Sequence, residues 1–295
     1  MNRMTTGEKI FQVFLVIFMI ALSLIFVVPF LIVLSTSFIG AAEAARRGTF
    51  ILFPEVIDLS AYKLLLGKGS TLWRAYGITL FTTIVGTFMS MLATSTLAYG
   101  LARKNLKGRN FFITLIFITM IISGGLIPTY MVVKALKLTN TTWAVIMTSL
   151  INTWNFVPLK TFFQQIPVSL EESALLDGAT PWQTLIRIIL PLSKASIATI
   201  SLFYAVSYWN GWYGAAIYID DSKLYPVQIL LRNIVMAMTQ NEINANMAVQ
   251  LGGSLPPGAT VRAACIIITT VPIICVYPFL QKYFVKGVVV GSVKE

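Results

Sequence analysis

Apolar residues in this chain fall in long uncharged blocks separated by short polar segments, not at the three-to-four-residue spacing of helices with one wet face. Uncharged stretches longer than about 18 residues predict transmembrane helices, because about 20 residues at about 1.5 Å rise cross the hydrocarbon. Six such stretches run from Ile10 to about Phe38, Ala75 to Ala102, Asn110 to Val133, Leu138 to Leu159, Ala195 to Ile219 and Ala263 to Gln281. The expected fold is therefore an all-α integral membrane protein with six transmembrane helices. Pro29 is expected to kink the first of them. The first block could also be a signal peptide with Ala41-Ala42-Glu43-Ala44 as its cleavage site, but its apolar core is about twice the usual length, so a retained anchor is expected.

Composition agrees with lipid as the main solvent. Of the residues, 57% are hydrophobic and 11% charged, against about 25% charged in an average soluble domain. The net charge of +11 belongs to loops beside anionic headgroups. No basic stripe with interleaved aromatics lies outside the apolar blocks, so nucleic acid is excluded as a partner. Cys265 and Cys275 both fall in the last block and read as small packing residues. Histidine is absent, which removes the commonest zinc ligand and general base. The span cores hold no Asp, Glu, Lys or Arg, which argues against a proton-driven carrier but leaves a sodium site built from carbonyls open.

The loop Arg103-Lys104-Asn105-Leu106-Lys107-Gly108-Arg109 is basic without an acid, and Arg3, Lys9, Lys282, Lys286 and Lys294 share its side if there are six spans. The positive-inside rule then puts both termini in the cytoplasm. Arg46, Arg47, Lys63, Lys68 and Arg74 oppose that bias from a long outer loop of mixed sign, which weighs less. The chain divides into 1–74 (first helix and outer loop), a five-helix core at 75–285 and a tail at 286–295.

The longest inner polar segment, 166–194, reads as two short helices. Ser169 with Glu172 is expected to form one capping box, and Thr180-Pro181 with Gln183 another. Gly178 between them suits a left-handed residue, and Pro191 is expected to end the second helix. Trp182, Leu185, Ile186, Ile189 and Leu190 form a stripe able to pack under the ends of the spans. Ala174 and Gly178 place small residues on one face of the first helix. Such a pair of helices suits docking of a cytosolic protein, or equally two amphipathic helices lying on lipid.

Glu171-Glu172-Ser173-Ala174-Leu175-Leu176-Asp177-Gly178-Ala179, followed by Ile189-Leu190-Pro191-Leu192, resembles the EAA loop of permease subunits of binding-protein-dependent ABC importers. Ser173 stands where that family usually has alanine. Further segments resemble the carbohydrate branch of the family: Ser123–Tyr130, Phe203–Val206 with Tyr208-Trp209-Asn210, Leu224–Gln228 and Tyr277–Gly287. More narrowly, the chain is similar to the smaller permease of oligosaccharide and polysaccharide importers of the alginate or pectin-fragment type. The resemblance implies a type I ABC importer membrane domain in a bacterial cytoplasmic membrane. It also implies a second homologous permease, a dimer of ATP-binding subunits that hold ATP and Mg, an extracytoplasmic solute-binding protein and a carbohydrate substrate. On this resemblance Glu171, Glu172, Ser173, Ala174, Asp177, Gly178 and Ala179 couple the chain to the ATPase. Glu172 reads equally as a helix cap or as a contact with the ATPase, two roles that can coexist, and Asp177-Gly178 shapes the turn.

No phosphate-cradling Gly-x-x-x-x-Gly-Lys-Ser/Thr loop is present, so no cofactor is expected in this chain. Tyr204, Tyr208, Trp209 and Asn210, with Trp212 and Tyr213, suit stacking and hydrogen bonding to a sugar, or else an interfacial aromatic belt. Asn152, Trp154 and Asn155 invite the same pair of readings. The long outer segment from Asp220 to Arg262, with turns at Gly252-Gly253 and Pro256-Pro257-Gly258, would touch the binding protein by resemblance, or serve as a tether. The basic tail would reach the ATPase or anionic lipid. An ion-coupled secondary carrier and a membrane-embedded enzyme are the rival functions. The second lacks an evident catalytic constellation.

Overall fold

A computed structural model describes residues 5–49, 51–237 and 256–292, and every secondary-structure element among them is helical. Among the described residues, three helices are long and apolar enough to cross a membrane, and up to five if each of two sharply bent pairs counts as one span. The chain divides into two compact units: residues 1–70 with 231–271, and residues 71–230 with 272–295. The turn expected at Gly252-Gly253, and Arg3 and Lys294, lie outside the described residues.

In the first unit, α1 (Thr6–Thr36) starts with a capping box that sequence inspection passed over. Glu8 N–H donates to Thr5 Oγ1 at 3.4 Å, and Thr5 N–H donates to Glu8 Oε2 at 2.7 Å. The helix runs unbroken through Pro29, and none of its most apolar window is buried. Its end is tied into a built loop. Thr36 Oγ1 donates to Thr49 O at 2.7 Å, and the Asp58 N–H donates to Phe38 O at 2.9 Å. Ser37 and Tyr62 share a hydroxyl hydrogen bond of 2.7 Å. Burial pushes the Tyr62 phenol pKa up, with the Ser37 bond opposing.

Ala41–Ala44 forms the first turn of α2 (Ala41–Arg47). Glu43 on that helix is buried, and its Oε1 accepts from Arg47 and from the Glu55 N–H, each at 3.0 Å. Glu55 also pairs with Arg46 and Arg47 at 3.1 Å, so the mixed-sign loop is a fixed ionic lattice. A helix α3 (Ser60–Leu66) packs Ala61 and Leu65 against Val261, Ala264 and Cys265.

The second unit is built around α4 (Thr71–Ala102). It is less apolar than α1, and its apolar stretch is partly buried where that of α1 is not. The difference has a physical cause. Thr79, Thr82, Ser90, Thr94 and Ser95 recur at helical spacing and are buried, and hydroxyls are tolerated where protein groups, not lipid, bond them. Thr79 Oγ1 donates to Ala75 O at 2.9 Å while accepting from the Val227 N–H at 2.9 Å.

The third expected span is not one straight helix. It is α5 (Arg109–Ile121) and α6 (Leu126–Ala135), bent by 118°. Gly125 takes φ +86°, which an L side chain rarely adopts, and Pro128 sits in the first turn of α6, where no N–H is required. The fourth is likewise broken into α7 (Thr142–Thr148) and α8 (Thr153–Gln165). Asn152 caps α8 by accepting the Trp154 N–H at 2.8 Å.

Beyond α8 the loop forms α9 (Val168–Leu176) and α10 (Pro181–Leu192). The fifth expected span is α11 (Lys194–Asn210) with a separate α12 (Tyr213–Tyr218). Asn140, at φ +61°, joins the loop before α7 to the end of α12. It donates to Tyr218 O at 2.6 Å, and its Oδ1 accepts from the Asp220 and Asp221 N–H groups at 3.1 and 2.9 Å. A short apolar helix α13 (Val227–Ala237) and the long α14 (Gly258–Ser292) complete the described chain. The backbone of 286–292, expected as a tail, continues α14.

Candidate coupling site

The site is the α9–α10 loop and the helices it stands on. The capping box expected from Ser169 and Glu172 does not form. α9 starts at Val168, two residues earlier than a Ser169 cap would set, behind Pro167 and with no side-chain cap. Ala174 is buried, and Glu171, one turn before it, pairs with Arg103 at 3.0 Å. The opposite face carries Val168 (61% exposed), Glu172, Leu175 (49%) and Leu176 (89%). Two adjacent glutamates therefore do different work. Glu171 binds within the chain, while Glu172 is exposed and enters no ion pair among the described residues.

Asp177-Gly178-Ala179 forms a Schellman cap. Gly178 has φ +79°; its N–H donates to Leu175 O at 3.1 Å, and the Ala179 N–H reaches back to Ala174 O at 2.9 Å. A Cβ at Gly178 would meet nothing within 4 Å, so Gly178→Ala tests backbone conformation alone. We expect it to destabilise the cap by about 1 kcal/mol. The measurement is substrate-stimulated ATP hydrolysis by the assembled transporter, expected to fall with membrane insertion retained.

The second capping box does form. Thr180 Oγ1 accepts the Gln183 N–H at 3.3 Å, and Gln183 Oε1 accepts the Thr180 N–H at 2.8 Å, with Pro181 at the first helical position. Pro191, however, does not end α10. The helix widens into a π-helical turn at Leu185–Ile189, with the Leu190 N–H donating to Leu185 O, and continues to Leu192. A proline ring clashes with the carbonyl four residues back, and a wider turn relieves that clash. The real break is an 89° bend into α11.

The same widening divides the expected stripe. Leu185 and Ile189 are buried in the core, with Leu190 packed against it. Trp182, Leu185, Ile186 and Leu190 line an apolar groove of about 580 Å³ facing Phe88, Leu92 and Ile197, so Leu185 and Leu190 belong to both.

The aromatic positions on α11 separate sharply. Tyr204 (2% exposed) bonds Thr94 through its hydroxyl at 2.7 Å and accepts the Asn152 N–H at 3.0 Å. Tyr208 (6% exposed) bonds Ser90 at 2.9 Å and donates to Ile146 O at 3.2 Å. Both serve here as struts from α11 to α4 and to the α7–α8 segment, with no free ring face for a sugar. Trp209 is buried beside Tyr76, their ring centroids 6.3 Å apart, and its indole N–H lacks a partner. Asn155 is buried, whereas Asn152, Trp154, Asn210, Trp212 and Tyr213 are exposed. Sequence inspection missed the partners of these tyrosines. The hydroxyl periodicity of α4, from Thr79 to Thr94, was the available signal.

With this geometry in hand, comparison with known proteins is decisive. A family model described as "Binding-protein-dependent transport system inner membrane component" matches residues 95–290, two thirds of the chain. The chain belongs to that family. Protein LplC of Bacillus subtilis is 42% identical over 290 residues, 98% of this chain and 97% of LplC. The polygalacturonan/rhamnogalacturonan transport system permease protein YtcP of Bacillus subtilis is 42% identical over 287 residues, 97% of this chain and 99% of YtcP. Among solved structures, a chain of a bacterial ABC transporter involved in the import of the acidic polysaccharide alginate superposes with TM-score 0.86 at 30% identity. That match covers 96% of this chain and 100% of the other. This permease is thus a multi-pass transport subunit of type I ABC importer fold, not an enzyme, and ATP hydrolysis resides in a separate subunit. The family implies an ATPase and a solute-binding protein as partners.

Proposed function

We propose that this permease is one of two homologous membrane subunits of a bacterial importer that carries acidic oligosaccharides, oligouronides in particular, across the cytoplasmic membrane by alternating access. The observation that carries this reading is the full-length similarity to YtcP, a polygalacturonan/rhamnogalacturonan permease. The similarity to the alginate importer chain supports an acidic cargo. In this reading both termini are cytoplasmic, and six spans comprise α1, α4, α5–α6, α7–α8, α11–α12 and α14. The exposed face of α9, with Glu172 and Leu176, meets the ATPase, the capped turn at Ser173–Ala179 holds that face in shape, and closure of the ATP-binding dimer rocks the spans. The amides of Asn152 and Asn210, which are exposed, are the cargo contacts this chain offers. Tyr204, Tyr208 and Asn155 act by fixing those groups in place.

The test is co-reconstitution with the partner permease, the ATPase and the binding protein, followed by ATP hydrolysis with a panel of sugars. Oligogalacturonides or oligoalginates should stimulate hydrolysis about fivefold or more, the range of coupling between distant sites. Stimulation by neutral sugars alone would refute the acidic cargo. Uptake by the isolated chain under an ion gradient without ATP would refute the mechanism.

A further inference from the structure

The α9 helix is thinly attached to the rest of the chain. Ala174 is its single buried residue, and the Arg103–Glu171 pair is the one ion pair that reaches it among the described residues. Arg103 follows the last turn of α4 directly. Its guanidinium carbon lies 4.4 Å from the centroid of the Tyr99 ring one turn earlier, and its Nη2 also donates to the Tyr99 hydroxyl. Tyr99 is itself buried in the core that holds Phe163, Leu185, Ile189 and Tyr204. The Arg103 Nε is buried without a hydrogen-bond partner among the described residues. Side-chain exposures of 26% for Arg103 and 19% for Glu171 place the pair out of bulk water, where screening is weaker than at an open surface.

We propose that Arg103 is the positioning residue that transmits motion of α9 to α4, clamping Glu171 on one side and the Tyr99 ring on the other. This inference rests on the reading of α9 as the helix an ATPase moves. A helix held by one small buried residue can slide or tilt on its neighbours. An ion pair to a guanidinium that is stacked on a core ring converts that motion into motion of α4. Because α4 is also tied to α11 through Thr94–Tyr204 and Ser90–Tyr208, the displacement then spreads through the second unit. Arginine suits the role where lysine would not, since a planar guanidinium can stack on Tyr99 and bond a carboxylate at once.

The experiment measures uptake and ATP hydrolysis in parallel on the full reconstituted assembly, with thermal stability as a control. Arg103→Gln should lower sugar uptake per ATP hydrolysed by about fivefold or more, with the amount of assembled complex unchanged. Arg103→Lys and the exchanged pair R103E/E171R should each recover only part of the loss, because both restore the charge pairing but neither restores a guanidinium on the Tyr99 ring. Unaltered coupling in Arg103→Gln, or full recovery by Arg103→Lys, would overturn the proposal. An unaltered assembly that hydrolyses ATP without driving uptake would instead overturn the coupling reading on which it stands.

Discussion

Replacing Leu176 by aspartate is expected to separate the permease from its ATPase while leaving the membrane-spanning part folded. Leu176 is 89% exposed at the tip of α9, beside the exposed Glu172, and makes no contribution to the core. With Val168 (61% exposed) and Leu175 (49%) it forms a contiguous exposed apolar patch, and such patches mark sites where a partner docks. Central apolar anchors of interfaces contribute about 2 kcal/mol or more, and burying a carboxylate in the same place adds a desolvation penalty. Affinity of the ATPase for the membrane subunits should therefore fall about thirtyfold or more. Co-purification measures the loss, and the thermal midpoint of the membrane subunit should stay within a degree or two because no buried contact is removed. A variant that still binds and couples normally would remove Leu176 from the interface.

The second large effect is expected at Gly86, on the membrane side of the mechanism. A Cβ built there would stand 2.7 to 2.9 Å from three atoms of the Tyr208 ring. Real side chains do not approach so closely, so the ring must move. Tyr208 cannot yield freely, because its hydroxyl is held by Ser90 and by Ile146 O. Gly86→Ala should therefore combine overpacking with a strained or broken buried hydrogen bond, together about 3 kcal/mol. Against a total stability of about 5–15 kcal/mol this is a severe defect. It should appear as reduced yield and a lower unfolding midpoint in detergent. Adding Tyr208→Leu to Gly86→Ala should recover part of the loss, since the clash is with the ring. Full stability of Gly86→Ala alone would mean that α4 and α11 are not packed this closely.

Local chemistry was legible in the sequence where it was self-contained. Thr180-Pro181-Gln183 and Gly178 formed the expected box and left-handed turn because their partners lie within a few residues. The break at Gly124-Gly125 with Pro128 two residues into the next helix is equally local, but a count of uncharged residues runs straight through it. At α9 the helix begins at Val168, two residues before the start a Ser169 cap would set, so Ser169 already lies inside the helix and cannot cap it. Adjacent helical residues point about 100° apart, so Glu171 faces Arg103 while Glu172 faces outward. The π-helical turn before Pro191 defeats any fixed 3.6-residue period. Tyr204 and Tyr208 resembled sugar-binding aromatics because their hydroxyl partners, Thr94 and Ser90, sit on a helix far away in the sequence.

The most direct test of the account is the location of Asp177. In a variant with Cys265 and Cys275 replaced, a single cysteine at Asp177, which is exposed, is treated with a membrane-impermeant maleimide. Labelling is expected in inside-out vesicles, none in right-side-out vesicles, and protection when the ATPase is bound. Labelling from the outer face, or labelling that the bound ATPase leaves untouched, would contradict it.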